Sequence, residues 1–499
     1  VVDKEKAMKN HLDLNTRTVC LSKTQNRFKR IAKIGLWCMA LACTSLSFAA
    51  EDEVVVLLGS EHALLPTHIN PVTVVSTDLS QDYLSKLQSI LTFDLDHNGM
   101  TRIVTGKEKE AATAAVHAGP EGSVDLAALR KLGLSYLIDW KIQGKDLGAS
   151  VVQITSGTTR SISPVTCSGD LSKDRGRIHQ LADCIFQSLF GKPGIANTKI
   201  LYTLKKRITS DSSEPNIVSE IFETDYDGQN PRQLTHVGSM CTSPAWVPPR
   251  TPGVASADQA SSQKSQTFLY VSYELGQPKI YAASLRDNRA YRVTTMRGNQ
   301  LTPAIAQDGS AIAFCSDITG TADLYLVPFE AGVGAVGKPR QIFHAKGTAT
   351  ACPTFSPDGS KVAFVSNKDG AAKVYVMDIP PVGAKSADLH PSLISKRCRE
   401  STGPAWSPDG KKIAYSAKNS GERQIWIYDI ENRTEQQLTD GKGNKESPSW
   451  APDSMHLVFH AFTKDGCDLY MVNINQPTPV KITSGSGEKL FPSWEPRAQ

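Results

Sequence analysis

From about residue 197 onward, hydrophobic and polar positions alternate with period two in short runs, punctuated by Gly, Pro, Asn and Asp. "KKIAYSA" (411–417) places Ile413, Tyr415 and Ala417 on one side. "RQIWIYDI" (423–430) follows a turn at Asn419, Ser420 and Gly421, and "EQQLTD" (435–440) closes the unit. Such alternation predicts strands, and the punctuation predicts the turns between them. The same order recurs in "KVAFVSNKDGAAKVYVMDI" (361–379) and "HLVFHAFTKDGCDLYMVNI" (456–474).

Each unit opens on a proline followed two positions later by an apolar, mostly aromatic residue. The prolines are Pro244, Pro303, Pro353, Pro404, Pro448 and Pro492, spaced 59, 50, 51, 44 and 44 residues apart. A basal period near 44 with insertions is that of a four-stranded propeller blade. The runs "KILYTLKK" (199–206), "NIVSEIFETDYDG" (216–228) and "PRQLTHV" (231–237) lack an opening strand, whereas the terminal "FPSW" (491–494) opens a unit that never continues. The expected ring therefore has six blades over 197–499, one of them completed by strand 490–494, which removes the free sheet edges. The segments 248–266, 328–339 and 380–391, rich in Gly, Ala, Ser and Pro, read as surface loops.

Residues 51–196 lack the repeat and predict a small α/β domain. "DLSQDYLSKLQSILT" (78–92) is apolar at helical spacing, and "DLAALRKLGLSYLIDWKIQG" (125–144) reads as helix, Gly133, then buried strand. "VVQITSG" (151–157) and "RSISPVTCSG" (160–169) read as strands, and "DRGRIHQLADCIFQSLFG" (174–191) as a closing helix. His62 and His68 are expected in a loop.

The length of 499 residues fits two or three domains. Residues 1–49 hold nine Lys/Arg against three Asp/Glu, so the formal charge of +5 resides there and residues 50–499 stand near −1. No basic face large enough for nucleic acid follows from that balance. Lys29, Arg30 and Lys33 precede an apolar run, Ile34 to Phe48, ending in a small-x-small site. This is the pattern of a secretory signal peptide cleaved after Ala49 or Ala50, too short for a membrane span. Residues 1–50 are then signal peptide and upstream extension, Met8 is a candidate start, and Cys43 lies in a poor lipoprotein box. Cleavage leaves seven cysteines with no metal-binding spacing, expected to pack as small apolar residues.

Chemistry finds little purchase. Asp308, Asp358, Asp409 and Asp453 each sit in a Pro-Asp-Gly-like turn, where Asp bonds its own backbone. "DLDHNG" (94–99) starts like an EF-hand loop, but Thr105 stands where the bidentate Glu belongs, so a polar turn is expected. No G-x-S-x-G elbow, H-E-x-x-H pair, P-loop or dinucleotide fingerprint occurs. No enzyme activity, cofactor or metal is expected. An exported propeller lyase, a peptidase-derived propeller and an outer-membrane assembly scaffold are the alternatives.

The "ETDYDGQNPRQLT" entry (223–235), the run of "PAWSPDG"-like motifs and the closing "FPSWEP" together resemble the TolB family, the periplasmic component of the Tol–Pal system. The resemblance implies a monomeric periplasmic binding scaffold that supports outer-membrane integrity and envelope constriction at division. A Pal-like peptidoglycan-associated lipoprotein would meet the loops before each Pro-x-aromatic strand: Asn299, Gln300, Leu301 and Thr302; Thr350, Ala351 and Cys352; Ser401, Thr402 and Gly403; Lys445 and Glu446. A TolA-like inner-membrane protein would take the mature N-terminus, Glu51, Asp52, Glu53, Val54, Val55, Val56, Leu57 and Leu58, by strand addition.

Overall fold

The computed structural model describes residues 64–116, 118–119, 124–208, 216–249, 267–286, 289–384, 388–419 and 421–497. The signal region, the N-terminal segment Glu51–Leu58, His62 and most of the 248–266 insertion lie outside them.

The α/β domain runs β1 (Leu65–Ile69), β2 (Thr73–Ser76), α1 (Gln81–Asp96), β3 (Thr101–Ile103), α2 (Gly106–Val116), α3 (Leu126–Lys131), β4 (Tyr136–Gln143), β5 (Asp146–Gln153), β6 (Thr158–Thr166) and α4 (Leu171–Phe190). One sheet holds the strands in the order β3-β1-β4-β5-β6, with β2 also on β4. Pairings up to β4 are parallel; β4, β5 and β6 form antiparallel hairpins. Helix α1 starts where the Ser80 hydroxyl accepts the Tyr83 N–H at 3.2 Å. It turns Leu84, Leu87 and Leu91 into the core, against Ile178, Leu181 and Ile185 of α4. Gly133, at φ 75°, makes the reversal into β4.

One sequence reading changes here and one holds. His68 is not in a loop: it is buried in β1, where desolvation and then Lys109 depress its pKa. "LPTHI" has too few apolar residues to announce a strand, yet β3 and β4 flank it on both sides. "DLDHNG" makes the expected polar turn, because the Asn98 carboxamide oxygen accepts the N–H groups of Met100 and Thr101, both at 2.9 Å. Asp94 belongs to α1 and points elsewhere, as described below.

The remaining strands form six sheets of the propeller. Five are consecutive, opening with the inner strands Cys241–Trp246, Gln300–Ile305, Thr350–Phe355, Glu400–Trp406 and Asn444–Trp450. The sixth runs Glu488–Trp494, Lys199–Ile208, Asn216–Asp225, Arg232–Gln233, so the last strand of the chain completes a blade begun near Lys199. The pairing is antiparallel, with Leu490 opposite Thr203 and Trp494 opposite Ile200. Second strands are buried nearly throughout: Phe314, Phe364, Tyr415 and Phe459 are each enclosed between neighbouring blades. The stretch 328–339 is not wholly loop, since Gly334–Ala335 pairs with the long strand Asp323–Glu330 and the Ala335 N–H reaches Val293 O of the preceding blade.

Candidate functional site

Every inner strand carries the same distortion. Its pairing with the second strand slips between the residue two before the proline and the residue one after it, as between Thr242 and Ala245 or Glu446 and Ser449. Two residues thus oppose one, which is a β-bulge. Proline has no N–H to lose there. The residue before it takes left-handed φ in all six blades: Ser243 53°, Thr302 47°, Cys352 49°, Gly403 58°, Ser447 54° and Phe491 51°. A non-Gly residue held so costs roughly 1–2 kcal/mol. The only sequence sign of this ring is Gly403, aligned with five residues that are not glycine.

Hydrogen bonds around the bulges tie five of the six inner strands to the one before. The Cys352 N–H donates to Thr302 Oγ1 at 3.2 Å and the Trp494 N–H to Ser449 Oγ at 2.9 Å. Indole N–H groups do the same: Trp450 Nε1 donates to Ala405 O at 3.0 Å, and Trp246 Nε1 to Ser493 O at 3.1 Å. The other two indoles turn elsewhere, Trp406 Nε1 to Gly410 O at 3.2 Å and Trp494 Nε1 to Thr198 Oγ1 at 2.8 Å. Ile305, in the unit where the aromatic is lost, is half-buried and has no such donor.

The residues expected from the sequence in loops before these strands lie, apart from Asn299, within the inner strands. There they pair with the second strand and run up to or into the bulge, Thr302, Cys352 and Gly403 being bulge residues. They divide into two kinds. Asn299, Gln300, Thr350, Ser401 and Lys445 are buried. Asn299 donates its backbone N–H to Asp317 at 2.8 Å and its carboxamide to the same carboxylate at 2.5 Å; Gln300 Nε2 donates to Met296 O at 2.9 Å. The Lys445 ammonium donates to the carbonyls of Gly441, Lys442 and Gly443 at 3.3–3.4 Å, with burial lowering its pKa. These side chains hold loops in shape. Leu301, Thr302, Ala351, Cys352, Thr402, Gly403 and Glu446, the next residues along each strand, are half-buried. Burial pushes the Glu446 carboxyl up against the opposing pull of Arg423, whose Nε lies 3.5 Å away. Arg423 also donates to Glu400 at 3.1 Å, so one guanidinium, not singled out from the sequence, joins two inner strands.

Asp308, Asp358, Asp409 and Asp453 are turn residues, as expected. The Asp358 carboxylate accepts from Ser356 Oγ, Ser360 N and Ser360 Oγ, which hold its pKa down to about 2. Among the described residues all seven cysteines are free thiols, five of them buried.

A second polar cluster lies at the opposite end of the ring, where α1 and α4 meet the turn between the third and fourth strands of the closing blade. His179 of α4 donates through Nδ1 to Asp94 at 2.8 Å, and its Nε2 faces Asp225 at 3.8 Å. Tyr226 donates its hydroxyl to Asp94 at 2.7 Å. Burial disfavours charge on the imidazole, but the Asp94 and Asp225 carboxylates outweigh it and raise its pKa to about 10. Arg175 pairs with Asp225 and Asp227, and Lys199 with Asp225. His179, Asp225 and Asp227 bring ligand atoms within 4.8 Å of one another. A cation there would have to displace Arg175 and Lys199, so the group reads as an ion-pair network between domains.

These features have counterparts in known proteins. The family model of the TolB beta propeller domain matches residues 186–498. A TolB homolog of Protochlamydia amoebophila is 43% identical over 419 residues, covering 82% of this chain and 86% of that protein. A TolB homolog of Chlamydia trachomatis serovar L2 is 32% identical over 410 residues, covering 82% and 84%. The crystal structure of TolB from Acinetobacter baumannii superposes with a TM-score of 0.68 at 20% identity, over 89% of this chain and 99% of that one, a likeness of fold. Six blades closed by the strand Glu488–Trp494, an α/β domain before them and these relatives lead to one conclusion: the chain belongs to the TolB family.

Proposed function

We propose that this protein is the periplasmic scaffold of a Tol–Pal system, binding a Pal-like peptidoglycan-associated lipoprotein at the mouth rimmed by the loops before its inner strands. The observation that carries the reading is the ring of six strained bulges beneath those loops. Backbone strain repeated at one level of a fold and held by internal side chains suits a preformed recognition surface. The half-buried inner-strand residues Thr302, Ala351, Cys352, Thr402 and Glu446 are the contact set in this reading, and the buried ones position them.

A TolA-like partner takes the segment Glu51–Leu58, whose Val54, Val56 and Leu58 suit strand addition to a partner sheet. Through both partners the protein supports outer-membrane integrity and envelope constriction at division. Among the described residues no helix is long and apolar enough to cross a membrane. The test is direct binding of the soluble domain of the Pal-like lipoprotein to the mature chain, with and without residues 51–58. Binding that needs the mouth, together with loss of TolA-like binding on the deletion, supports the reading. No binding of either partner overturns it.

A further inference from the structure

The loops entering the inner strands are charged unevenly. The four that precede Pro303, Pro353, Pro404 and Pro448 carry the exposed bases Arg297, Lys346, Lys396, Arg397, Arg399 and Lys442. The two that precede Pro244 and Pro492 carry no exposed Lys or Arg. On the same arc Glu400 and Glu446 face Arg423 at 3.1 and 3.5 Å. The exposed acids there are Asp440 and Glu422, the latter accepting the Gly443 N–H, against six exposed bases. Since residues 50–499 stand near −1 overall, the basic arc is a segregation of charge and not part of a general excess.

The arc is also fixed in position. Buried Lys279 donates to the carbonyls of Met296 and Gly298, which flank Arg297. Lys373 donates to Ser395 O and Cys398 O, which bracket Lys396 and Arg397. Lys445 holds the carbonyls of residues 441–443 around Lys442. Thr348 donates to Ala345 O at 2.8 Å, closing the turn that presents Lys346. In each loop these carbonyls are satisfied from inside while the bases stay exposed, Arg397 also donating to Glu435 O at 3.2 Å.

We propose that this arc is the electrostatic half of the mouth and that it takes an acidic protein surface, a patch of Asp and Glu side chains on the partner. The proposal rests on the mouth being the lipoprotein-binding face and adds the chemistry of what docks there. Like-charged groups held on rigid loops attract an opposite patch without first losing loop entropy, which speeds association and makes it sensitive to salt. The arc covers four of six loops, so it also fixes the rotational setting of a partner on a ring that is otherwise nearly symmetric.

The test uses the mature chain and two matched double variants, K396E/R399E on the arc and K338E/K411E at the opposite end of the ring. Each changes the charge equally, and unchanged unfolding temperatures establish that both fold. Two probes are titrated at 20 and 300 mM NaCl: the soluble domain of the Pal-like lipoprotein and a dodecapeptide of Asp and Glu. Affinity for both is expected to fall at least about tenfold in K396E/R399E and in high salt, and to stay within about twofold in K338E/K411E. Equal effects of the two doubles, or no binding of either probe, overturn the proposal. Arc-dependent binding of the peptide without binding of the lipoprotein domain retains the acidic docking surface and removes the lipoprotein reading.

Discussion

The indole N–H of Trp494 donates to the hydroxyl of Thr198 at 2.8 Å, joining residues 296 apart at the seam of the ring. Beside it the Glu495 carboxylate accepts the Lys199 N–H at 2.9 Å. Trp494 is buried and packs with Ala451 and Val458 of the preceding blade, so the seam is both hydrogen-bonded and apolar.

Ending the chain after Lys489 should therefore open the ring. Loss of a buried Trp alone costs about 3–5 kcal/mol, and the truncation also bares the edge of Lys199–Ile208. The expected outcome is a large fall in unfolding temperature with aggregation, read by calorimetry and light scattering. Removing only Arg497 to Gln499 should cost far less, on the order of 1 kcal/mol, because among the described residues the ion pair there is Arg497 to Asp183 at 3.6 Å.

Gly403 should not tolerate a β-branched residue. Its φ of 58° sits in the left-handed region, although the space around it is open, Ser447 Cα being 3.6 Å from a built Cβ. Gly403→Val is expected to lower stability by about 1–2 kcal/mol, whereas Ser447→Gly should be neutral or better. Chemical denaturation of both variants checks the contrast.

His179 makes the domain contact sensitive to alkali. Its pKa is raised to about 10 from the ordinary 6.5, so its contribution is whole below pH 6.5 and drains away as pH climbs through 10. Asp225, held well below the ordinary carboxylate range although burial opposes it, contributes above about pH 4 and loses its part only in stronger acid. His179→Ala should cost about 3 kcal/mol at neutral pH by leaving the buried Asp94 carboxylate with only the Tyr226 hydroxyl, Asp225 keeping Arg175 and Lys199, and should flatten the alkaline decline. Thermal unfolding between pH 5 and 10 reads both.

His460 acts in the opposite sense. Burial depresses its pKa to about 3, and its ring stands edge-on to Phe491 of the closing strand. The unfolded chain takes up a proton below about pH 6.5 that the fold refuses until about pH 3, so stability declines across that range. Replacing His460 by Phe should remove this part of the acid sensitivity, as followed by unfolding temperature from pH 7 to 4.

The thiols should be inert in the folded state. Desolvation pushes Cys315 and Cys241 up to about 12. Ellman's reagent is expected to react slowly with native protein and fully after denaturation.

The number of blades, the division into an α/β domain and a ring, and the shared closing blade were legible in the sequence. They rest on local causes, namely period-two alternation, Pro-Asp-Gly turns and a proline recurring every 44 residues or more. Strand β1 was not, because a short parallel strand with Pro66 and His68 is stabilised by its neighbours and not by its own pattern. Neither were the bulges: five of the six left-handed positions hold residues that do not prefer that conformation, and only closure of the ring imposes it. The same holds for function. The sequence marks which loops reach the mouth, but tertiary structure decides that Gln300 and Ser401 turn inward while Lys396 and Arg399 face out, since that depends on which carbonyls and carboxylates folding brings within hydrogen-bond reach. The His179–Asp94–Asp225 contact spans residues up to 131 apart, and a charge cluster of that kind exists only once two domains meet.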